Sequence, residues 1–311
     1  MIYIRCLKIF LSATNMFIDS FIGHLRAERN CSQHTLRAYA ADLRSFREYM
    51  AGIDGSIDFF SADTDVVRSW VASLMESGAA PSSVCRRLSS LRTFYQFLQS
   101  QNPEIGNPAV SLQGPKRRKR LPVFVKESEM NELIDELDFG EGYVGCRDRM
   151  IMILFYEAGL RLSELVGLDV ADVDMGASVI KVRGKRDKER VVPFAAELRG
   201  ELQVYLNARA LFAHEVGGAL FLSSQGCRIS NSRVYRMVRS QLSRVTSVKK
   251  KSPHVLRHSF ATAMLNNEAE IGAVKELLGH ERLATTEIYT HLTFEDLRRS
   301  YDKAHPRAGN N

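Results

Sequence analysis

Nowhere in its 311 residues does the sequence hold an apolar run close to the roughly 20 residues a helix needs to cross a bilayer, so no membrane-spanning role is expected. Its five cysteines, Cys6, Cys31, Cys85, Cys146 and Cys227, are odd in number, far apart, and form no CxxC pair. That pattern argues against a zinc ribbon or a dithiol redox centre and fits a reducing, cytoplasmic setting. The opening stretch MIYIRCLKIFLSATNMF is apolar, but Lys8 interrupts it and no small-residue cleavage site follows, so export is not expected. No repeat of solenoid length occurs, and low complexity is confined to one basic run and the tail RAGNN.

What is present is length, charge and helical pattern. A chain of 311 residues is long enough for two domains at roughly 100 to 200 residues each. Lysine and arginine number 43 against 36 acidic residues, a net charge of +7 that favours a polyanionic partner. Charge alone does not choose between nucleic acid and an anionic surface.

The first half reads as helices. Leu36, Tyr39, Leu43, Phe46 and Met50 recur at steps of three and four, with Arg37, Arg44 and Arg47 opposite and Ser32 as N-cap. Val67, Trp70, Val71, Leu74 and Met75 form a second stripe closed by Gly78, and Val84, Leu88, Leu91, Tyr95 and Leu98 a third. The third helix carries Arg86, Arg87 and Arg92 off its stripe, either as a solvated face or as a side that meets phosphate. A basic run follows, Lys116, Arg117, Arg118, Lys119 and Arg120, flanked by Gly114-Pro115 and Pro122, and reads as a linker.

Beyond it the pattern mixes. ESEMNELIDEL and GCRDRMIMILFYEAG are helical, SVIKVRG and ERVVPF are short strands joined by the turn GKRDK, and helices resume at AAELRGELQVYLNARALF. Ser252 and Pro253 start a helix that projects His254 and Arg257 from one face near its N-terminus, the end that favours an anion. His254 and His258 have the spacing of a zinc helix, yet Val255 stands where a general-base glutamate would be, and Arg257 would repel a metal cation. His258 reads as a structural, hydrogen-bonded histidine. LLGH ends a helix at Gly279 with His280 just beyond, and Tyr289 follows nine residues later. Taken singly, Arg161 could simply pair with Glu164, Lys185 could be a solvated turn residue, and Tyr289 could be core.

Together the stretches GLRLSEL, RGKRDKERVVPF, HVLRHSFAT, LLGH and IYTHL, in that order, resemble the tyrosine recombinases, and within them the Xer subfamily on its XerC-like side. The likeness runs from about Met16 to Ala308 and includes the opening AERNCSQHTLRAYAADL. It implies a mainly α fold: a four-helix, SAM-like core-binding domain over residues 16–113, a basic linker over 114–122, and a mostly helical catalytic domain with a small antiparallel β-sheet over 123–311. Residues 1–15 stand ahead of the family's usual start as an N-terminal extension, and Glu268 occupies a position where a glycine is common.

The resemblance also implies a chemistry. Tyr289 attacks a DNA phosphate to give a 3′-phosphotyrosyl bond, His254 takes its proton, Arg161, Arg257 and His280 hold the phosphate oxygens, and Lys185 protonates the leaving oxygen. Glu164 orients the arginines. No metal, ATP or other cofactor is required, because the covalent bond retains the energy needed for rejoining. The implied partners are double-stranded DNA gripped between the two domains, with Arg86, Arg87, Arg92 and Lys116 to Arg120 as contacts, a second Xer-type recombinase in a tetramer linked through the last helix, FEDLRRSYDKAH with Thr293 as cap, and a cell-division DNA translocase; no membrane is implied. Chromosome-dimer resolution is the expected role. The same chemistry fits a mobile-element integrase or a DNA-relaxing enzyme of the type IB topoisomerase kind, while a non-catalytic architectural protein is the alternative of a different class.

Overall fold

The computed structural model describes residues 16–29, 31–116, 123–184, 188–212, 218–279, 294–305 and 307. The chain divides into two compact units, Met1–Arg120 and Leu121–Asn311.

The first unit has four described helices: α1 (16–27), α2 (Gln33–Ile53), α3 (Thr64–Glu76) and α4 (Pro81–Gln101). Their starts are set by local chemistry. Ser32 Oγ accepts the Thr35 amide at 3.2 Å, Asp63 caps α3 by accepting from Asp65 and Val66, and Pro81 opens α4. The apolar stripes meet in an aromatic core where Phe59 and Phe94 pack edge to face at 4.7 Å and Trp70 lies 4.9 Å from Phe46. The buried Tyr95 hydroxyl donates to the Phe59 carbonyl at 2.8 Å, which pins the loop between α2 and α3 to α4. Met75, expected in the second stripe, is exposed in the last turn of α3.

The second unit is built round α6 (Gly142–Glu157), whose run from Met150 to Glu157 is buried on every side. A helix apolar all round must be covered all round. It is packed by α8 (Ala196–Phe212), α9 (Asn231–Val245) and α10 (Pro253–Asn266), while α5 (Glu127–Asn131) continues into a π-helical turn, Glu132–Glu136, at one side. Two short elements, α7 (Leu162–Gly167) and a 3-10 turn at Val170–Asp172, lead to a three-stranded antiparallel sheet. Its strands are β1 (Val173–Asp174), β2 (Val179–Arg183) and β3 (Glu189–Pro193), in the order β1-β2-β3 with Ile180 opposite both Val173 and Val192. β2 and β3 match the two strands the sequence predicts; β1, two residues long, has no room for an alternating pattern.

The chain then closes with α11 (Ile271–Leu278) and α12 (Phe294–Ala304). α12 packs on α10, α11 and β3 of its own chain: Tyr301 is fully buried and donates to the Glu157 carbonyl at 3.1 Å. Beyond it Arg307 forks onto Asp135 at 2.8 and 2.9 Å and reaches Glu157 at 3.1 Å. Burial, the largest influence, pushes Glu157 up to about 7 against the pull of Arg307. Thr293, the expected cap of α12, lies outside the described residues.

α10 and α11 are joined through Glu268, which holds φ +63°. In that left-handed region a Cβ crowds the backbone, and glycine does not. Glu268→Gly is therefore expected to raise unfolding stability by about 0.5–1 kcal/mol, relief of the Cβ clash outweighing the extra chain entropy. A denaturant midpoint that falls on substitution would contradict this.

Candidate active site

Three segments far apart in sequence converge at the end of α11. The first is the turn after α6. Gly159 takes φ +57°, and a Cβ there would stand 2.5 Å from Phe260 Cδ1, so both conformation and space require glycine. The turn delivers Arg161 to the N-cap of α7. Its amide donates to Glu164 Oε2 at 2.9 Å, and its guanidinium donates to Glu164 Oε1 at 2.5 Å and to the Gly279 carbonyl at 2.7 Å.

The second segment is the first turn of α10. Arg257, buried, donates to the Gly159 carbonyl at 2.6 Å and to the Leu278 carbonyl, and lies 3.9 Å from Glu164. The third is β3, from which Arg190 donates to both oxygens of Glu164 at 2.9 and 2.8 Å and, through Nε, to the Leu277 carbonyl at 2.8 Å. Three successive carbonyls, those of Leu277, Leu278 and Gly279, are thus each taken by a different arginine. They are available because α11 stops: Gly279 turns left-handed at φ +61° and leaves them without helical partners. The same helix end carries the negative pole of its dipole, which favours cations.

Charge interactions follow from this packing. Burial alone would raise the Glu164 carboxyl, but hydrogen bonds and charge from Arg190 and Arg161 bring it down to about 2. Arg257 is lowered to about 10, first by burial and then by the nearby charge of Arg161, only partly countered by Glu164. His254, exposed at the start of α10, is lowered by partial burial and by Lys250, Arg257 and Arg161, which favours the neutral imidazole. A small cavity here is lined by His254, Arg257, His258, Ala261 and Leu278. An anion entering it would meet the Arg257 guanidinium and the imidazoles of His254 and His258.

Among the expected residues, Arg161, Glu164, His254 and Arg257 are therefore brought together, while Lys185, His280 and Tyr289 lie outside the described residues. Gly184, immediately before Lys185, is close by: a Cβ on it would stand 3.8 Å from Glu164 Oε1. Ser252 occupies the N-cap position of α10, but its hydroxyl makes no capping bond and is buried without a partner among the described residues. His258, expected to be a hydrogen-bonded structural residue, lines the cavity.

The α4 arginines have intramolecular partners. Arg86 pairs with the buried Asp42, which also accepts from Ser90 at 2.7 Å; Arg87 lies 3.9 Å from Asp42 and 3.4 Å from the Ser45 hydroxyl. Arg92 donates to the Ala109 carbonyl at 2.8 Å and to the Leu112 carbonyl, so its guanidinium fastens the segment after α4. Lys116 is exposed, and Arg117, Arg118, Lys119 and Arg120 lie outside the described residues. Two features escaped the sequence reading. Arg190 looks like a solvated residue of a short strand, yet strand alternation puts it on the same face as the buried Val192. α9 buries Val234, Val238 and Leu242 and exposes Arg233, Arg236 and Arg239, a basic helix face that its amphipathic spacing could have revealed.

Glu164 is the anion of the cluster, and its depressed pKa gives stability that is present above the unfolded value of 4.5 and lost as pH falls through about 2. Glu164→Gln is expected to cost about 3 kcal/mol at pH 7, because it leaves buried guanidinium groups uncompensated. Denaturant melts at a series of pH values should show this gap narrowing only as pH falls below the ordinary carboxylate range; a gap unchanged down to acid unfolding would refute the charge assignment.

Residues 123–296 match the phage integrase family, and residues 18–102 match the phage integrase N-terminal SAM-like domain. The chain is 39% identical over 301 residues to a tyrosine recombinase XerC of Pelotomaculum thermopropionicum, covering 94% of this chain and 98% of that protein. To a tyrosine recombinase XerC of Chlorobaculum tepidum it is 38% identical over 318 residues, covering 94% and 95%. Among solved structures, XerH site-specific recombinase bound to palindromic difH substrate in a post-cleavage complex has the same fold, with a TM-score of 0.70 at 20% identity over 92% of this chain and 80% of that one. Integrase of transposon Tn1549 in complex with transposon right-end DNA gives 0.70 at 19% identity over 92% and 98%. A mainly helical chain with a small antiparallel sheet, a SAM-like first unit and a clustered arginine site, it belongs to the phage integrase family, as a tyrosine recombinase of the Xer group.

Proposed function

We propose that this recombinase cuts and rejoins duplex DNA at a specific site through a 3′-phosphotyrosyl intermediate on Tyr289, and that its role is the resolution of chromosome dimers at cell division. The observation that carries the reading is the joint placement of Arg161 and Arg257 beside His254 at the start of α10. Breaking a phosphodiester requires a nucleophile, neutralisation of the non-bridging oxygens and a proton for the departing 5′ oxygen. In this reading the phenol of Tyr289 attacks phosphorus and gives its proton to His254, whose pKa is lowered by partial burial and then by neighbouring cations, which favours the unprotonated ring. Arg161 and Arg257 turn part of their forks from backbone carbonyls to phosphate oxygens, with His280 adding a hydrogen bond. Lys185 supplies the leaving-group proton, and no metal ion takes part.

Residues 16–113 serve as the core-binding domain, 114–122 as the linker and 123–311 as the catalytic domain. The exposed arginines of α9 and the basic stretch beginning at Lys116 are suited to phosphate contacts. Similarity to proteins named tyrosine recombinase XerC supports the chromosomal role, with a second Xer-type recombinase as tetramer partner and a cell-division DNA translocase as regulator. The fold is shared with recombinases solved on DNA, including a lambda integrase tetramer bound to a Holliday junction, which supports duplex binding and assembly on the substrate.

A nicked suicide duplex carrying the recombination site should yield a denaturant-resistant protein–DNA adduct, and Tyr289→Phe should abolish it while leaving gel-shift affinity nearly unchanged. An adduct formed by Tyr289→Phe would place the nucleophile elsewhere. Adduct formation should persist in excess chelator; loss restored by added magnesium or zinc would overturn the metal-free chemistry. Because His254 titrates below the ordinary imidazole value of 6.5, the cleavage rate should hold as pH drops from 8 through 6.5 and decline only below it. A decline already complete at 6.5 would remove His254 as the base.

A further inference from the structure

We infer that Arg190 is a positioning residue for strand cleavage: it fixes the carboxylate of Glu164 and the end of α11, and through them sets the forks of Arg161 and Arg257. The inference deepens the proposed function and rests on it. Arg190 is mostly shielded, its side chain 13% exposed, and it uses its guanidinium inward: one edge grips both Glu164 oxygens at 2.9 and 2.8 Å while Nε reaches the Leu277 carbonyl at 2.8 Å. Arg161 is the more open of the two, with its side chain 33% exposed. Arg190 is thus placed to hold the carboxylate that holds the phosphate-facing arginines.

The geometry explains why a third cation belongs in an already basic pocket. Glu164 bonds Arg161 directly and lies 3.9 Å from Arg257. Arg161 holds one oxygen through its guanidinium and the other through its amide, both from the turn that carries it. Arg190 takes the same two oxygens from β3 and so fixes the carboxylate, and the Arg161 fork with it, against a second segment of the fold. It also seats α11, since its stem lies against Gly279, where an added Cβ would meet Arg190 Cδ at 3.2 Å. The carbonyls on which Arg257 and Arg161 rest, those of Leu278 and Gly279, follow directly after the one Arg190 holds. A planar fork is needed for three bonds in these directions, and an ammonium group does not supply one.

The test compares two scissile linkages in the same suicide duplex, an ordinary phosphate and a methylphosphonate, in wild type, Arg190→Met and Arg190→Lys. A methylphosphonate lacks one negatively charged oxygen, so its transition state depends less on where the guanidinium groups stand. With gel-shift affinity retained within about twofold, Arg190→Met should form adduct roughly 100-fold more slowly than wild type on phosphate, and within about tenfold of wild type on methylphosphonate. Arg190→Lys should keep the charge yet remain at least about tenfold slow on phosphate, and it carries the test if the methionine variant does not fold. Equal losses on both substrates, or a lysine variant as fast as wild type, would overturn the inference. If wild type itself forms no adduct on either duplex, the proposed function falls and the inference with it; adduct by wild type with equal losses in the variants confines the failure to Arg190.

Discussion

Three guanidinium groups must be brought within a few ångströms of one another before this site exists, and their mutual repulsion has to be offset inside the protein. The offset comes from two sources. Glu164 supplies a full negative charge, buried and gripped from two sides, and the terminal carbonyls of α11 supply partial charges, one to each arginine. Neither suffices alone, because a single carboxylate has two oxygens and a helix end has no net charge to give. The segments that meet here come from a turn, a strand and two helices, so the cluster is also what joins the sheet to the helical core.

The surrounding architecture keeps that arrangement from relaxing. Gly159 permits the close approach of Phe260 and leaves its own carbonyl for Arg257. α10 is held from outside by Ser259, whose hydroxyl accepts the Val125 amide at 2.8 Å, so the start of the second unit is tied to the helix that carries His254 and Arg257. At the C-terminal end of α6, two residues before Gly159, Tyr301 and Arg307 fasten the C-terminal segment to Glu157. These contacts fix the end of the buried helix from which the turn to Arg161 departs.

Much of this was legible in the sequence. The stripes of α2 and α4, the Ser32 cap, the Pro253 start of α10 and the stop at Gly279 all depend on neighbouring residues, and local rules describe them well. What escaped depends on partners distant in the chain. Arg92 and Arg190 look alike in sequence, each a basic residue on a polar-looking face, yet one fastens a loop through the Ala109 carbonyl and the other holds Glu164 across 26 positions. Met75 kept the spacing of its stripe but sits in a last turn that the core does not reach. Glu164 was half legible: its pairing with Arg161 is local, whereas Arg190 and Arg257 reach it only through the fold.

The fork-to-fork union of Arg190 with Glu164 has a consequence for charge balance. That pair is neutral as a unit, so the cluster of Arg161, Arg190, Arg257 and Glu164 carries a net charge of +2, and Lys250 adds to the positive field at His254. A phosphodiester at rest carries one negative charge and its five-coordinate transition state carries two. In the proposed reaction a surplus of positive charge therefore favours the doubly charged species over the resting one, which is the imbalance that lowers a barrier.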